Sequence, residues 1–288
     1  MKLRGATGRI TIVLVVGLIW LAQVERGVTQ TVAGPAKTLE GAQCDRAHFR
    51  LLLDVGHSVE VPGAMSARNV PEFRFNLRLA KEIDEALIGA GFEHTELLVT
   101  HGRKQIGLTK RVANANHSAP DMFLSIHHDS VPDRFMERWE YEGKKSWFSD
   151  RFKGHSIFVS WDNPAREVSL RFARLLGLQL ETRGLAYAPH YAEPFMGRYQ
   201  RQLVDPEAGV YRFDQLRVLR ETRIPAVLLE AGSIINRDEE LQLQSAEHRA
   251  LISGAVVDAA DAFCAAPPYE AVNFSHRKQD TYPIRLKL

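Results

Sequence analysis

The chain alternates between short apolar runs of strand length and longer segments with apolar residues at helical spacing. The first run, residues 50–54, ends in Asp54 and is followed by Gly56 and His57. Asn69-Val70-Pro71-Glu72 then opens a helix, with Pro71 suited to its first turn. Phe75, Leu79, Ile83, Ala86 and Ala90 follow at helical spacing, and Gly91 supplies the stop. Residues 94–100 read as a second strand, Leu108, Val112 and Ala115 mark a short helix, and residues 122–126 read as a third strand. Residues 129–154 read as a polar, aromatic-bearing loop, 156–160 as a strand, and 164–182 as a long helix with Val168, Phe172, Leu175 and Leu176 on one face. Residues 186–213 have no clean period; 216–219 read as a short strand, 226–229 as a buried one and 240–263 as mostly helical. Strands alternating with helices, several of the strands largely apolar, predict an α/β three-layer sandwich with a largely parallel central sheet flanked by helices.

The 288 residues suit one or two domains, and no internal repeat argues for more than one catalytic domain. Apolar residues at 45% and charged residues at 25% are ordinary for a globular protein, and a net charge of +2 gives no footprint for nucleic acid. The N-terminus differs. Lys2, Arg4 and Arg9 precede an uncharged run, residues 10–22, of 13 residues, short of the roughly 20 that span a bilayer. This reads as a secretory signal over residues 1–30, and without a clear small-residue cleavage triplet an uncleaved membrane anchor through residues 10–22 stays open. Residues 31–48 then form a linker, 49–266 the catalytic domain, and 267–288 a basic, proline-started mobile tail. Export to an oxidising compartment would let the two cysteines, Cys44 before the first strand and Cys264 at the end of the last helix, bridge the ends of the domain; two unrelated thiols are the alternative.

Three strand ends deliver groups with chemistry: His57, then Ser125-Ile126-His127-His128-Asp129, then Glu230 after Val227-Leu228-Leu229. Glu72 sits in the first turn of the helix after the His57 loop. Two histidines and a carboxylate form the ligand set of many catalytic zinc sites, which leave a fourth position for water. A second carboxylate nearby then has a proton to carry. Taken singly, each residue has a plainer account. Glu72 is favourable at a helix N-terminus without any metal, and His128 would face away from His127 if the strand persists.

The joint pattern resembles the zinc-dependent N-acetylmuramoyl-L-alanine amidases of the bacterial cell wall. Their strand ending in Asp-Pro-Gly-His is similar to Asp54-Val55-Gly56-His57, and their Glu-x-x-x-Asn-Leu helix start to Glu72-Phe73-Arg74-Phe75-Asn76-Leu77. Arg111 to Asn116, Ser125 to Asp129, Val218-Leu219-Arg220, Pro225 to Glu230 and Gly232 to Asn236 match further elements of that family in its order. The resemblance implies zinc held by His57, Glu72 and His127, with Glu230 as the catalytic carboxylate and peptidoglycan as the substrate. The bond cut would be the one that joins the muramic acid lactyl group to L-alanine of the stem peptide, in the periplasm or cell envelope of a bacterium.

Departures from the family pattern are local. Val55 replaces Pro, the Gly-rich run after the histidine is replaced by residues 58–64, and His128 replaces a small residue, which leaves it a place in the metal shell. An autoinhibitory helix, where the family has one, has no room between the strand at 156–160 and the helix that follows. Extra length lies instead in residues 186–213, with Tyr187, His190, Tyr191, Phe195 and Tyr199 among Arg198, Arg201 and Arg212. Such a segment could border the active site and grip sugar rings or stem-peptide carboxylates, or be a plain surface insertion. Another zinc peptidoglycan hydrolase, a carboxypeptidase or endopeptidase, and a non-catalytic cell-wall binding or activator protein are the alternative functions. The need for a protein activator stays open.

Overall fold

Leu51, Leu53 and Val55 are buried on one side of their strand and Leu52 on the other, so that strand lies inside the molecule with a layer of helices on each face. The structure, a computed structural model, describes residues 44–265; the segment read as a signal or anchor and the C-terminal tail lie outside the described residues. The elements in chain order are β1 (Arg50–Val55), α1 (Glu72–Gly89), β2 (His94–Leu98), α2 (Lys104–Ser118), β3 (Met122–Asp129), β4 (Glu137–Tyr141), β5 (Lys144–Phe148) and β6 (Ser156–Val159). They continue with α3 (Arg166–Glu181), β7 (Gln202–Asp205), β8 (Val210–Arg212), α4 (Arg217–Arg220), β9 (Ala226–Ser233), α5 (Arg237–Gln244) and α6 (Ala246–Ala265).

Seven strands form the central sheet in the order β2-β1-β3-β9-β6-β8-β7. The first four are parallel, β6 runs antiparallel to β9, β8 is parallel to β6, and β7 is antiparallel to β8. On one face Leu53, Leu124 and Val227 meet Leu79 and Ile83 of α1, Phe172 and Leu176 of α3, and Ile252 and Val256 of α6. On the other, Leu52, Phe123 and Leu228 meet Ala115 of α2 and Val218 and Leu219 of α4. The predicted three-layer α/β architecture is what the structure shows.

Several local expectations are corrected. Residues 216–219 begin a single helical turn, α4, rather than a strand; four apolar-rich residues carry no decisive period, and the buried side of the turn is Val218 and Leu219. The segment read as a loop over 129–154 contains the β4–β5 hairpin, closed by Glu142 and Gly143, both at positive φ as a two-residue hairpin turn requires. Residues 186–213 supply two short 3₁₀ turns and then β7 and β8, which extend the sheet edge. Cys44 and Cys264 are joined by a disulfide with their Cα atoms 4.7 Å apart, and Cys44 N donates to Cys264 O.

Candidate active site

β1 and β3 run side by side in parallel register, Asp54 against Ser125, so His57 just past one tip and His127 near the other arrive at the same end of the sheet. Their imidazole centroids are 5.1 Å apart. Glu72, the first residue of α1, reaches between them: His57 Nε2 lies 3.1 Å from its Oε2 and His127 Nδ1 3.1 Å from its Oε1. Burial would raise the Glu72 carboxyl, but hydrogen bonds from His127 and His57 outweigh it and hold the group well below the usual carboxylate range. One ligand atom from each of the three residues lies within 4.8 Å of the others, the group of His, Cys, Asp and Glu side chains that could hold a metal ion among the described residues.

The approach is close enough to decide two glycines. Gly56 does not sit at positive φ, and its role is room: a Cβ there would stand 2.4 Å from the His127 ring. Gly63, at φ +82°, passes under Glu72 and His57, where a Cβ would meet Glu72 Oε2 at 2.4 Å. His57 itself sits at φ 95°, a conformation rare for a residue with a side chain, and it needs outside restraint. Arg111 of α2 supplies that restraint. Its guanidinium bonds Asp54 Oδ1 at 2.5 Å, the Val55 carbonyl and the His57 carbonyl, while Asp54 Oδ2 accepts from Ser125 Oγ at 2.7 Å.

Asn76, one turn after Glu72, is fully buried. Its amide donates to Glu72 Oε1 and to the Gly56 carbonyl, both at 3.1 Å, and its oxygen lies 2.7 Å from His128 Nδ1. β3 persists through Asp129, so His128 points to the opposite face from His127, packed on Phe75 with ring centroids 5.5 Å apart. Burial drives its pKa down to about 3. His128 is a structural partner of Asn76, and it stands outside the metal-holding group.

The profile of the N-acetylmuramoyl-L-alanine amidase family matches residues 51–262. The chain belongs to that family. A probable cell wall amidase, LytH, of Staphylococcus epidermidis is 26% identical over 210 residues, 72% of this chain and 56% of that relative. The chain thus spans about half the length of the curated relatives it matches. Two solved amidases share the fold: Ami1 from Mycobacterium smegmatis, TM-score 0.57 at 19% identity, covering 77% of this chain and 99% of that one. The catalytic domain of CwlV from Bacillus (Paenibacillus) polymyxa var. colistinus aligns with TM-score 0.54 at 22% identity, covering 75% and 97%.

In this amidase domain Glu230 pairs in register with His127 on the neighbouring strand, so both side chains project from the same face. Its Oε2 is shut off from solvent without a hydrogen-bond partner among the described residues. Burial, then the charges of Asp129 and Glu72, push its carboxyl well above the usual range. Asp129 accepts from Tyr191 Oη at 2.8 Å on both oxygens, and burial lifts its pKa to about 7 even so. A cavity of about 290 Å³ lies beside His57 and His127, walled by Leu108 and Arg111 of α2 and by Gln215 to Val218.

Sequence reading missed three supports. Arg111 stood in a matched motif without a stated role. The β4–β5 hairpin braces the loop between His57 and Glu72, with Trp139 Nε1 and Ser146 Oγ donating to the Ala67 carbonyl at 2.9 and 2.8 Å. Alternation around Glu142-Gly143 was its available signal. Tyr191 stood out among the aromatics of residues 186–213, but its tie to Asp129, 62 residues away, had no local signal.

Proposed function

We propose that this domain hydrolyses the amide between the lactyl group of N-acetylmuramic acid and L-alanine of the peptidoglycan stem peptide, using zinc held by His57, Glu72 and His127. The donor set fits that ion: two imidazoles and one carboxylate with ligand atoms within 4.8 Å of one another, with Asn76 holding the Glu72 carboxylate and Arg111 the His57 backbone. Zinc so bound would polarise the scissile carbonyl and lower the pKa of its water toward about 7. Glu230 is the proton carrier. The observation that carries the assignment is its position: in register with His127, outside the metal-holding group, with a buried oxygen lacking any partner among the described residues. A carboxyl with a raised pKa can accept a proton from the attacking water and return it to the departing alanine nitrogen. Arg111 and Asn76 take no proton; they keep the His57 turn and the Glu72 carboxylate in place. Work on this polymer requires the domain to stand in the cell envelope, in keeping with the secretory reading of residues 1–30.

The test is digestion of purified sacculi by the full chain, with and without a chelator, followed by mass spectrometry of the released material. Free stem peptides beginning at L-alanine, lost on chelation and restored by zinc, are expected. New ends elsewhere in the peptide would make the protein a different peptidoglycan hydrolase, and binding without release would make it a wall-binding protein.

A further inference from the structure

The segment 186–213 builds a second concavity next to the first. An open trough of about 660 Å³ is lined by Arg198, Arg201, Arg212, Phe213, Asp214 and Gln215 together with two further glutamines. Gln215 also lines the cavity beside His57 and His127, so one side chain borders both spaces. The segment is tied to the metal-site end of the sheet by the Tyr191–Asp129 hydrogen bonds, both 2.8 Å.

The trough carries three arginines against one aspartate. Arg212 is already paired with Asp214 at 2.6 Å. Arg201 is not paired with any carboxylate among the described residues. Its guanidinium carbon lies 3.7 Å from the Phe213 ring centroid, and its Nη1 donates to the carbonyls of Arg198 and Gln200 at 3.0 and 2.9 Å. Its Nε is shut off from solvent and has no partner among the described residues. Arg198 is exposed, bonds only the Tyr199 hydroxyl at 2.8 Å, and likewise has no carboxylate among the described residues. Arg201 therefore keeps Nη2 for a ligand and Arg198 keeps Nε and Nη1, and two cations without carboxylate partners lining one trough suit a carboxylate.

We propose that this trough is the subsite for the free carboxylates of the stem peptide, with Arg201 and Arg198 as the clamp and Gln215 at the passage from the reaction cavity. The assignment rests on the peptidoglycan reading above and deepens it: the peptide side of the scissile amide lies toward residues 198–215, and a peptide with free carboxylates is preferred over an amidated one.

Titration calorimetry on the full chain tests this without turnover, using a stem tetrapeptide with free carboxylates and the same peptide amidated. Wild type should bind the acidic peptide at least about tenfold tighter than the amidated one. R198A and R201A should each lose most of that preference, and R201K should restore only part of it, since an ammonium does not stack on the Phe213 ring as the guanidinium does. In hydrolysis the variants should raise KM on the acidic muropeptide with little change in kcat and in zinc content. Equal affinity in wild type and R198A, whose exposed side chain is not needed for folding, would overturn the subsite; so would equal binding of the amidated peptide, or preference for a phosphate-bearing wall polymer. Arginine-dependent binding of the peptide with cleavage at another bond would sink the amidase reading and leave the subsite standing.

Discussion

Asn76 offers the sharpest test of why the Glu-x-x-x-Asn spacing exists. Replacing it by leucine keeps the volume of a fully buried side chain and deletes three hydrogen bonds at once. Glu72 Oε1 keeps His127 as a partner, but the Gly56 carbonyl and His128 Nδ1 lose theirs inside the protein. Each orphaned buried group costs about 1–3 kcal/mol, so Asn76→Leu should lower stability by about 2–6 kcal/mol. A second effect is separable from the first. Freeing the Glu72 carboxylate from its orienting amide should weaken zinc binding by about 10–100-fold, the usual consequence of losing such a support. Urea denaturation of the metal-free protein reads the first number, and competition against a colour-forming chelator reads the second. Asn76→Asp should fare worse still, because it sets a second carboxylate beside Glu72. An Asn76→Leu protein within about 0.5 kcal/mol of wild type and with unchanged zinc affinity would refute the reasoning.

Three further outcomes are expected. Glu230→Gln should retain zinc and release peptide at least about a hundredfold more slowly; near-normal turnover would put the proton on another group, and lost zinc would make Glu230 a ligand. Replacing both Cys44 and Cys264 by serine should cost about 3–5 kcal/mol in denaturant unfolding, because the bridge closes a loop over most of the domain, and an unchanged midpoint would show it idle. In the metal-free protein Asp129 keeps its proton up to about pH 7 when folded but only to about pH 4 when unfolded. Its contribution to stability is therefore fully present below about pH 4 and lost as pH rises through about 7. Asp129→Asn should flatten that fall in the denaturation midpoint, and an equally steep fall would assign it elsewhere.

What could be read from the sequence was what neighbours in the chain decide. The apolar runs of β1, β3 and β9 and the helix opened by Pro71-Glu72 stood out because their burial patterns are local and regular. Those same four elements bring His57, Glu72, His127 and Glu230 to one end of the sheet. The length of β3 was less visible, since His127-His128-Asp129 is polar, yet the strand continues because His128 finds Asn76 and Asp129 finds Tyr191. Nothing next to Gly56 in the chain says why it must be glycine; its closeness to the His127 ring makes it a spacer. The edge strands β7 and β8 are only 4 and 3 residues long, too short to show a period, and their place depends on β6. Arg111 likewise gains its meaning from Asp54, 57 residues earlier.

The bridge between Cys44 and Cys264 has a mechanical meaning. Chain arriving at Cys44 and chain leaving after Cys264 meet the domain at points whose Cα atoms are 4.7 Å apart. A pull applied between those two ends is borne by a covalent bond, and the sheet and helices between them carry no load. Cys44 also precedes the start of β1, while His57 follows its end, and six strand residues separate the two by about 20 Å. Within the domain, then, the covalent tie and the His57 end of β1 lie at opposite ends of that strand.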